Sequence, residues 1–293
     1  MVDATDVEEG PELGRGGQGR VTTLRKLMGR PADGVVVKRY NPQVVPNAAA
    51  LTRLVSWRRS LDVQQRQQLD AVACWPLSVL VERGRAVGTV LPLVPAGFGF
   101  WTGTPSGIRR FVLNELQFLV AGRHLLRRRG IPETTTADRL RILATFTEAV
   151  ALLHGHDVVL GDLSLKNLLW RTGDEGPGIF LLDCDGLRLE GTDPVTPQSN
   201  SPSWADPAFP ATQNQQSDAY KVALVVLRTL ARDFHTHDAG TAGPTAGPEL
   251  TSLLRSSLRR NPEARPSVSA WTGPLRSRAE AFDQIRKEGA FPA

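Results

Sequence analysis

Four groups of residues have the types and spacing to handle a phosphate, a metal ion and a proton. The loop Gly161-Asp162-Leu163-Ser164-Leu165-Lys166-Asn167 follows a helix predicted to end near His154 and precedes a strand predicted from Leu168, so its carboxylate, ammonium and amide sit at an exposed junction. Asp183 comes directly after the apolar run Ile179-Phe180-Leu181-Leu182. An acid ending a buried strand offers the hard oxygen that Mg²⁺ prefers. Lys38 ends another apolar run, Val35-Val36-Val37. Upstream, Gly14, Gly16 and Gly19 stand in G-x-G-x-x-G-x-V spacing ending at Val21. Glycines let backbone N–H groups approach phosphate oxygens. Each signal also has a plainer reading: a hairpin turn for the glycines, a snorkelling edge lysine for Lys38, a chance acid and amide for Asp162 and Asn167. A dinucleotide fingerprint needs a helix after the glycines, and here a strand follows.

The elements that must position these residues change character along the chain. Residues 1–10 read as a polar, weakly ordered leader. Short apolar runs at 20–24, 34–40, 74–82 and 86–94 read as strands, the last two joined by a turn at Arg83-Gly84-Arg85. Between them, Leu51, Leu54, Val55 and Leu61 predict one helical excursion over 48–70. After a join near 94–103, helical spacing is predicted over 108–129 and 136–154, with a strand over 179–182. A strongly apolar helix over 218–234, a loop over 235–248 and helices over 250–260 and 267–287 complete the chain. The fold class is therefore α+β, with strands concentrated in the first third.

The chain has 293 residues, 41% apolar and 22% charged, enough for a large core in one or two domains. No apolar run reaches the length of a membrane span; the best, near residues 87–101, is broken by Pro92 and Pro95. The acidic start lacks the basic and apolar regions of a secretory signal, so a cytoplasmic location is expected. Cys74 and Cys184 form neither a disulfide framework nor a metal-ligand spacing. The net charge is +5, and only Lys26, Lys38, Lys166, Lys221 and Lys287 among the 35 basic residues are lysine. The basic clusters Arg123, Arg127, Arg128, Arg129 and Arg255, Arg259, Arg260, Arg265 read as solvated helix faces rather than a nucleic-acid surface.

Taken in order, these motifs resemble those of the protein kinase family over almost the whole chain. The Asp162-to-Asn167 spacing is similar to that between the catalytic-loop aspartate and metal-binding asparagine of that family. Pro202-Ser203-Trp204-Ala205-Asp206-Pro207-Ala208 resembles the end of an activation segment, and Asp218 the helix aspartate that braces the catalytic loop. Arg265, in Asn261-Pro262-Glu263-Ala264-Arg265-Pro266, resembles the late arginine that pairs near that segment. More narrowly, Trp75-Pro76-Leu77 and Leu182-Asp183-Cys184-Asp185-Gly186 resemble bacterial kinases linked to phosphatase and von Willebrand A-type modules. The resemblance implies a bilobal protein-kinase-like fold: a small β-rich N-lobe over 11–95 and a larger helical C-lobe over 96–288. It implies ATP and Mg²⁺ as cofactors. The glycine loop and Lys38 would hold phosphates, and Val21, Val36, Leu91 and Val94 would hold adenine. Asn167 and Asp183 would hold Mg²⁺, Asp162 would take the acceptor proton, and Lys166 would neutralise charge on the transferring group. The partner implied is a protein substrate or a regulatory partner protein.

Several positions depart from that family's pattern. Leu160-Gly161 replaces the usual His-Arg before the aspartate, so a phosphate on the activation segment would lack its usual arginine partner, and activation by that route is not expected. Ser164 replaces a lysine, and Asp183-Cys184-Asp185 replaces Asp-Phe-Gly. Asp185 is expected to be solvated or to cap a turn. No glutamate occurs between Glu12 and Glu82, leaving Asp62, Asp70 or no acid at all to pair with Lys38. Asp206 or Glu263 is expected to partner Arg265. Three functions follow: an active Ser/Thr kinase, a nucleotide-binding scaffold without transfer, and a small-molecule kinase, which Asp206-Pro207 and Arg265 disfavour.

Overall fold

A computed structural model describes residues 1–103, 107, 109–131, 133–198, 200–201, 203–209 and 213–288, with the backbone alone at Arg123 and Leu125. Pro202 and Ile108, which begin two of the expected segments, lie outside the described residues. The protein is α+β, with a mixed seven-stranded sheet and eight α-helices among the described residues. Two compact units divide the chain: Met1–Pro95 with Leu181–Ser199, and Ala96–Phe180 with Asn200–Ala293. The segment after Phe180 thus belongs with the first unit, in contrast to the sequential division expected at residue 95. The reason is local: Cys74 donates its N–H to Leu181 O at 2.9 Å, and Asn47 donates its N–H to Val195 O at 2.7 Å.

The first unit is built on β1 (Val2–Asp3), β2 (Val7–Arg15), β3 (Gly19–Leu27), β4 (Arg30–Pro31) and β5 (Val35–Tyr40). Helices α1 (Ala48–Ser60) and α2 (Val63–Val72), then β6 (Ser78–Glu82) and β7 (Arg85–Pro92), complete it. The sheet order is β1-β6-β7-β5-β3-β2, with β4 on β3. The leader expected over 1–10 is instead structured. Val2 and Asp3 pair in parallel with Leu80 and Val81, and β2 pairs with β3. Ala4, Leu24, Val37, Leu80 and Val90 bury one face of the sheet, against which Val2 and Val7 pack, so the apolar residues of the start outweigh its acids. The single helical excursion is two helices, because Asp62 caps α2 in a capping box with Gln65 and so ends the first helix at Leu61.

In the second unit a β-hairpin, Gly99–Gly103 with Arg109–Leu113, occupies part of the span expected to be helical. Trp101 and Phe111 meet across it, a pairing that favours strands over helical spacing. The helices α3 (Gln117–Val120) and α4 (Arg123–Arg129) follow, separated by Gly122. Next comes α5 (Thr136–His154), whose start is fixed by the Thr135–Asp138 capping box. A strand pair, Leu168–Arg171 and Gly178–Leu181, flanks the long turn between them. Helix α6 (Gln215–Ala231) is buried from Ser217 to Leu230, and α3, α5 and α7 (Gly243–Ser257) pack on it. The stretch expected to be a loop over 235–248 carries a 3-10 turn and the start of α7, which bends at Gly247 (φ 75°) just before Pro248. Last, α8 (Thr272–Lys287) packs on α5. Among the described residues no helix is long and apolar enough to cross a membrane.

Candidate functional site

The predicted site residues gather into two groups, one in each unit. The first stands on β5. Strand alternation turns Val37 toward the apolar core and Val36, Lys38 and Tyr40 to the opposite face. Directly opposite partners share a face, so Val21 (opposite Lys38) and Leu91 (opposite Val36) join them. Four of the five predicted apolar and lysine contacts thus form one surface; Val94 lies past the end of β7.

Lys38 is buried on that face, with a side chain 5% exposed. Its ammonium donates to Asp185 Oδ1 at 2.8 Å and to Asp183 Oδ1 at 2.9 Å. Asp185 is 1% exposed and Asp183 55% exposed. Tyr40 Oη donates to the other Asp185 oxygen at 2.8 Å. Burial alone would push the Lys38 pKa down, but the carboxylates of Asp185 and Asp183 outweigh it and the ammonium is held above its ordinary value. Burial, then Asp185, raises the Tyr40 phenol. The Cys74 thiol is pushed up to about 12, by burial first and then by Asp185 and Asp183.

Two expectations are corrected here. Asp185 is neither solvated nor a capping residue: it is the buried partner of Lys38. Neither Asp62 nor Asp70 reaches that lysine. Asp62 caps α2, and Asp70 accepts from Arg58 Nε at 2.7 Å. Asp183 stands in the left-handed region (φ 54°, ψ 32°) and opens a 3-10 turn over Cys184–Gly186. That backbone is strained for a residue with a side chain, and strain of this kind collects at functional positions.

The glycine turn connects β2 to β3. Gly16 N–H donates to Gly19 O at 2.8 Å, and Asn41 Nδ2 donates to Gly17 O at 2.8 Å, which ties the turn to the end of β5. A Cβ on Gly19 would sit 2.2 Å from Arg39 O, so the sheet itself requires glycine there. At Gly14 and Gly16 a Cβ would meet nothing within 4 Å. The fold does not ask for glycine at those two positions.

The second group is the Gly161–Asn167 loop. Asp218, at the start of α6 and fully buried, accepts the N–H groups of Leu160 at 2.7 Å and Gly161 at 2.9 Å. Gly161 has φ 73°, a conformation that any other side chain would strain, which accounts for glycine where the resemblance leads one to look for arginine. The loop presents Asp162 and Lys166 exposed and Asn167 half-buried. Asn167 Nδ2 donates to Asp162 O at 3.0 Å, and its amide oxygen carries no hydrogen bond among the described residues. Ser201 donates both its hydroxyl (2.9 Å) and its N–H (3.2 Å) to Asp162 Oδ1. Lys166, Ser201, Ser203, Trp204, Phe234 and His235 line a cavity of about 290 Å³ beside the loop. Of the two acids left open for Arg265, the structure selects Asp206: the guanidinium grips it with both terminal nitrogens, one at 2.9 Å, and both side chains are 1% exposed. Glu263 is exposed.

Oxygen donors that suit Mg²⁺ are present in each group, the Asp183 carboxylate and the Asn167 amide oxygen. Sequence reasoning missed Tyr40, Ser201 and Lys221. The signal for Tyr40 was its alternation with Lys38. For Lys221 it was a lone lysine in the apolar run Ala219-Tyr220-Lys221-Val222-Ala223-Leu224. No family model matches the chain. No curated protein sequence matches it either.

Proposed function

We propose that the chain is an ATP- and Mg²⁺-dependent phosphotransferase of protein-kinase-like fold, its two units being the N-lobe and C-lobe, and that it transfers a γ-phosphoryl group to a Ser or Thr hydroxyl of a protein. The observation that carries this reading is the buried Lys38, held by two carboxylates on the same sheet face as Val21, Val36 and Leu91. An ammonium fixed beside an apolar surface fits a nucleotide, with the base on the valines and leucine and the phosphates at the lysine. Asn167 and Asp183 would hold Mg²⁺, whose charge offsets that of the phosphates. In the transfer, the acceptor oxygen forms a bond to the γ-phosphorus as the bond to the ADP oxygen breaks. Asp162 receives the hydroxyl proton, and Lys166 neutralises charge on the moving group. The Ser201 hydroxyl on Asp162 supports that role, because a hydroxyl already binds the carboxylate as an acceptor would.

One observation favours a second reading, a nucleotide-binding regulatory scaffold. Lys38 occupies an oxygen of Asp183, and its other partner is Asp185, two residues further on, so both acids come from the same short segment.

The nucleotide part is tested at the glycine turn. Mg-ATP is expected to raise the Tm of the wild type. Gly16→Ala keeps the unliganded stability within about 0.5 kcal/mol, as for a surface substitution, but loses much of the nucleotide-induced shift. Gly19→Ala destabilises by about 1–3 kcal/mol whether or not nucleotide is present, because its methyl group overlaps Arg39 O. Equal behaviour of the two variants, or no shift in the wild type, counts against nucleotide binding at this turn.

A further inference from the structure

Lys221 is in the middle of α6 and is 1% exposed. Its ammonium donates to two oxygens, Gly161 O and Asn200 Oδ1, each at 2.6 Å. Asn200 Oδ1 also accepts from Gln213 Nε2 at 3.0 Å. The two residues reached by Lys221 are the chain neighbours of the two that meet at the carboxylate: Gly161 precedes Asp162, and Asn200 precedes Ser201. Hydrogen bonds and peptide links therefore close a ring, Lys221 to Gly161, Asp162, Ser201, Asn200 and back to Lys221.

We propose that Lys221 is a positioning residue that fastens the Asn200–Ser201 segment to the Asp162 loop and so fixes the direction of the Asp162 carboxylate. The proposal rests on the reading of Asp162 as the proton acceptor. Both oxygens that the ammonium bonds are neutral, while Asp218, Asp162 and Asp206 act on it only at longer range. Burial is the largest influence on its pKa and lowers it. A buried ammonium bonded to neutral oxygens costs folding free energy, and a methionine would fill the space without that cost. A side chain that lowers stability, at the back of a loop bearing the candidate base, is better explained by what it holds than by packing. Position 161 itself cannot supply a cation, since its φ of 73° favours glycine. Lys221 brings the positive charge to that peptide from α6 instead, so the segment is held without any phosphate group.

The test compares Lys221→Met, Asn200→Ala and Asn200→Asp in the full chain. It reads phosphoryl transfer, KM for Mg-ATP, Tm, and the exchange rate of the Ser201 amide hydrogen. Misplacing a reacting group by about 1 Å costs roughly 10²-fold in rate, so Lys221→Met is expected to lower kcat by ~10–100-fold, with KM for Mg-ATP unchanged, Tm unchanged or higher, and faster Ser201 exchange. Asn200→Ala moves kcat and exchange the same way, and Asn200→Asp, which keeps an acceptor oxygen, retains most of the activity. Wild-type kcat in Lys221→Met, or equal losses in Asn200→Ala and Asn200→Asp, overturns the proposal. If Lys221→Met does not fold, the Asn200 pair decides. If the wild type transfers no phosphate, the phosphotransferase reading fails. The ring is then judged by exchange alone: faster in Lys221→Met or Asn200→Ala supports it, and unchanged in both overturns it.

Discussion

Replacing Asp162 by alanine is expected to lower kcat by ~10²–10⁴-fold, the usual contribution of a general base. Tm and KM for Mg-ATP should stay near their wild-type values. The carboxylate is exposed, so its removal leaves no buried charge. The stability lost is about that of an ordinary hydrogen bond or two, ~0.5–1.5 kcal/mol each, through the Ser201 contacts to Oδ1. Asp162→Asn sharpens the test. The amide oxygen can still accept from Ser201, but it cannot take a proton at neutral pH. Its kcat should therefore fall nearly as far while the segment stays ordered. Steady-state kinetics of the three proteins, with unfolding curves beside them, checks this. Wild-type turnover in Asp162→Ala would remove the residue from the reaction.

The second large effect falls on stability. Asp185→Ala removes the buried partner of the Lys38 ammonium and the acceptor of the half-buried Tyr40 hydroxyl. Removing one partner of a buried pair typically costs ~3–5 kcal/mol. Asp183 still reaches Lys38, which places the expected loss at about the lower end of that range. Asp183→Ala differs in kind. Its carboxylate is more than half exposed, so solvent screens the pair and the expected stability cost is about 1 kcal/mol or less, while the proposed phosphoryl transfer is expected to be lost. The contrast would separate the two acids: Asp185 as the buried partner of the lysine, and Asp183 as the proposed metal ligand. Denaturant unfolding of both variants gives the answer. If Asp185→Ala matches the wild type in stability, the buried pair is not what fixes Lys38. A further check is Lys38→Met with Asp185→Leu, which should regain stability and still fail to shift with nucleotide.

Much of this arrangement was legible from local pattern. Alternation along Val35–Tyr40 puts Lys38 on the face opposite Val37 without any tertiary information, and the loop around Asp162 follows from where α5 ends. The partner of Lys38 was not legible. Asp185 lies 147 residues away in sequence, and short-range signals suggested only an exposed turn. The split of the 48–70 region is readable in Asp62 and Gln65, three apart as a capping box requires, although apolar spacing alone does not mark the break. The helix expected over 108–129 took in Arg109–Leu113, which instead pairs as a strand with Gly99–Gly103, and the Trp101–Phe111 contact that favours this pairing is made only after folding. Glycine, threonine and proline suggested a loop over 235–248, whereas packing against α6 makes part of it helical.

The central claim, phosphoryl transfer, is tested most directly by incubating the full chain with Mg²⁺ and ATP labelled at the γ-phosphate, alongside Asp162→Ala and Asp183→Ala. The expected result is label on serine or threonine, in the protein itself or in an added protein acceptor, strongly reduced in both variants. Nucleotide-dependent stabilisation of the wild type with no label transferred, or equal transfer in all three, would contradict it.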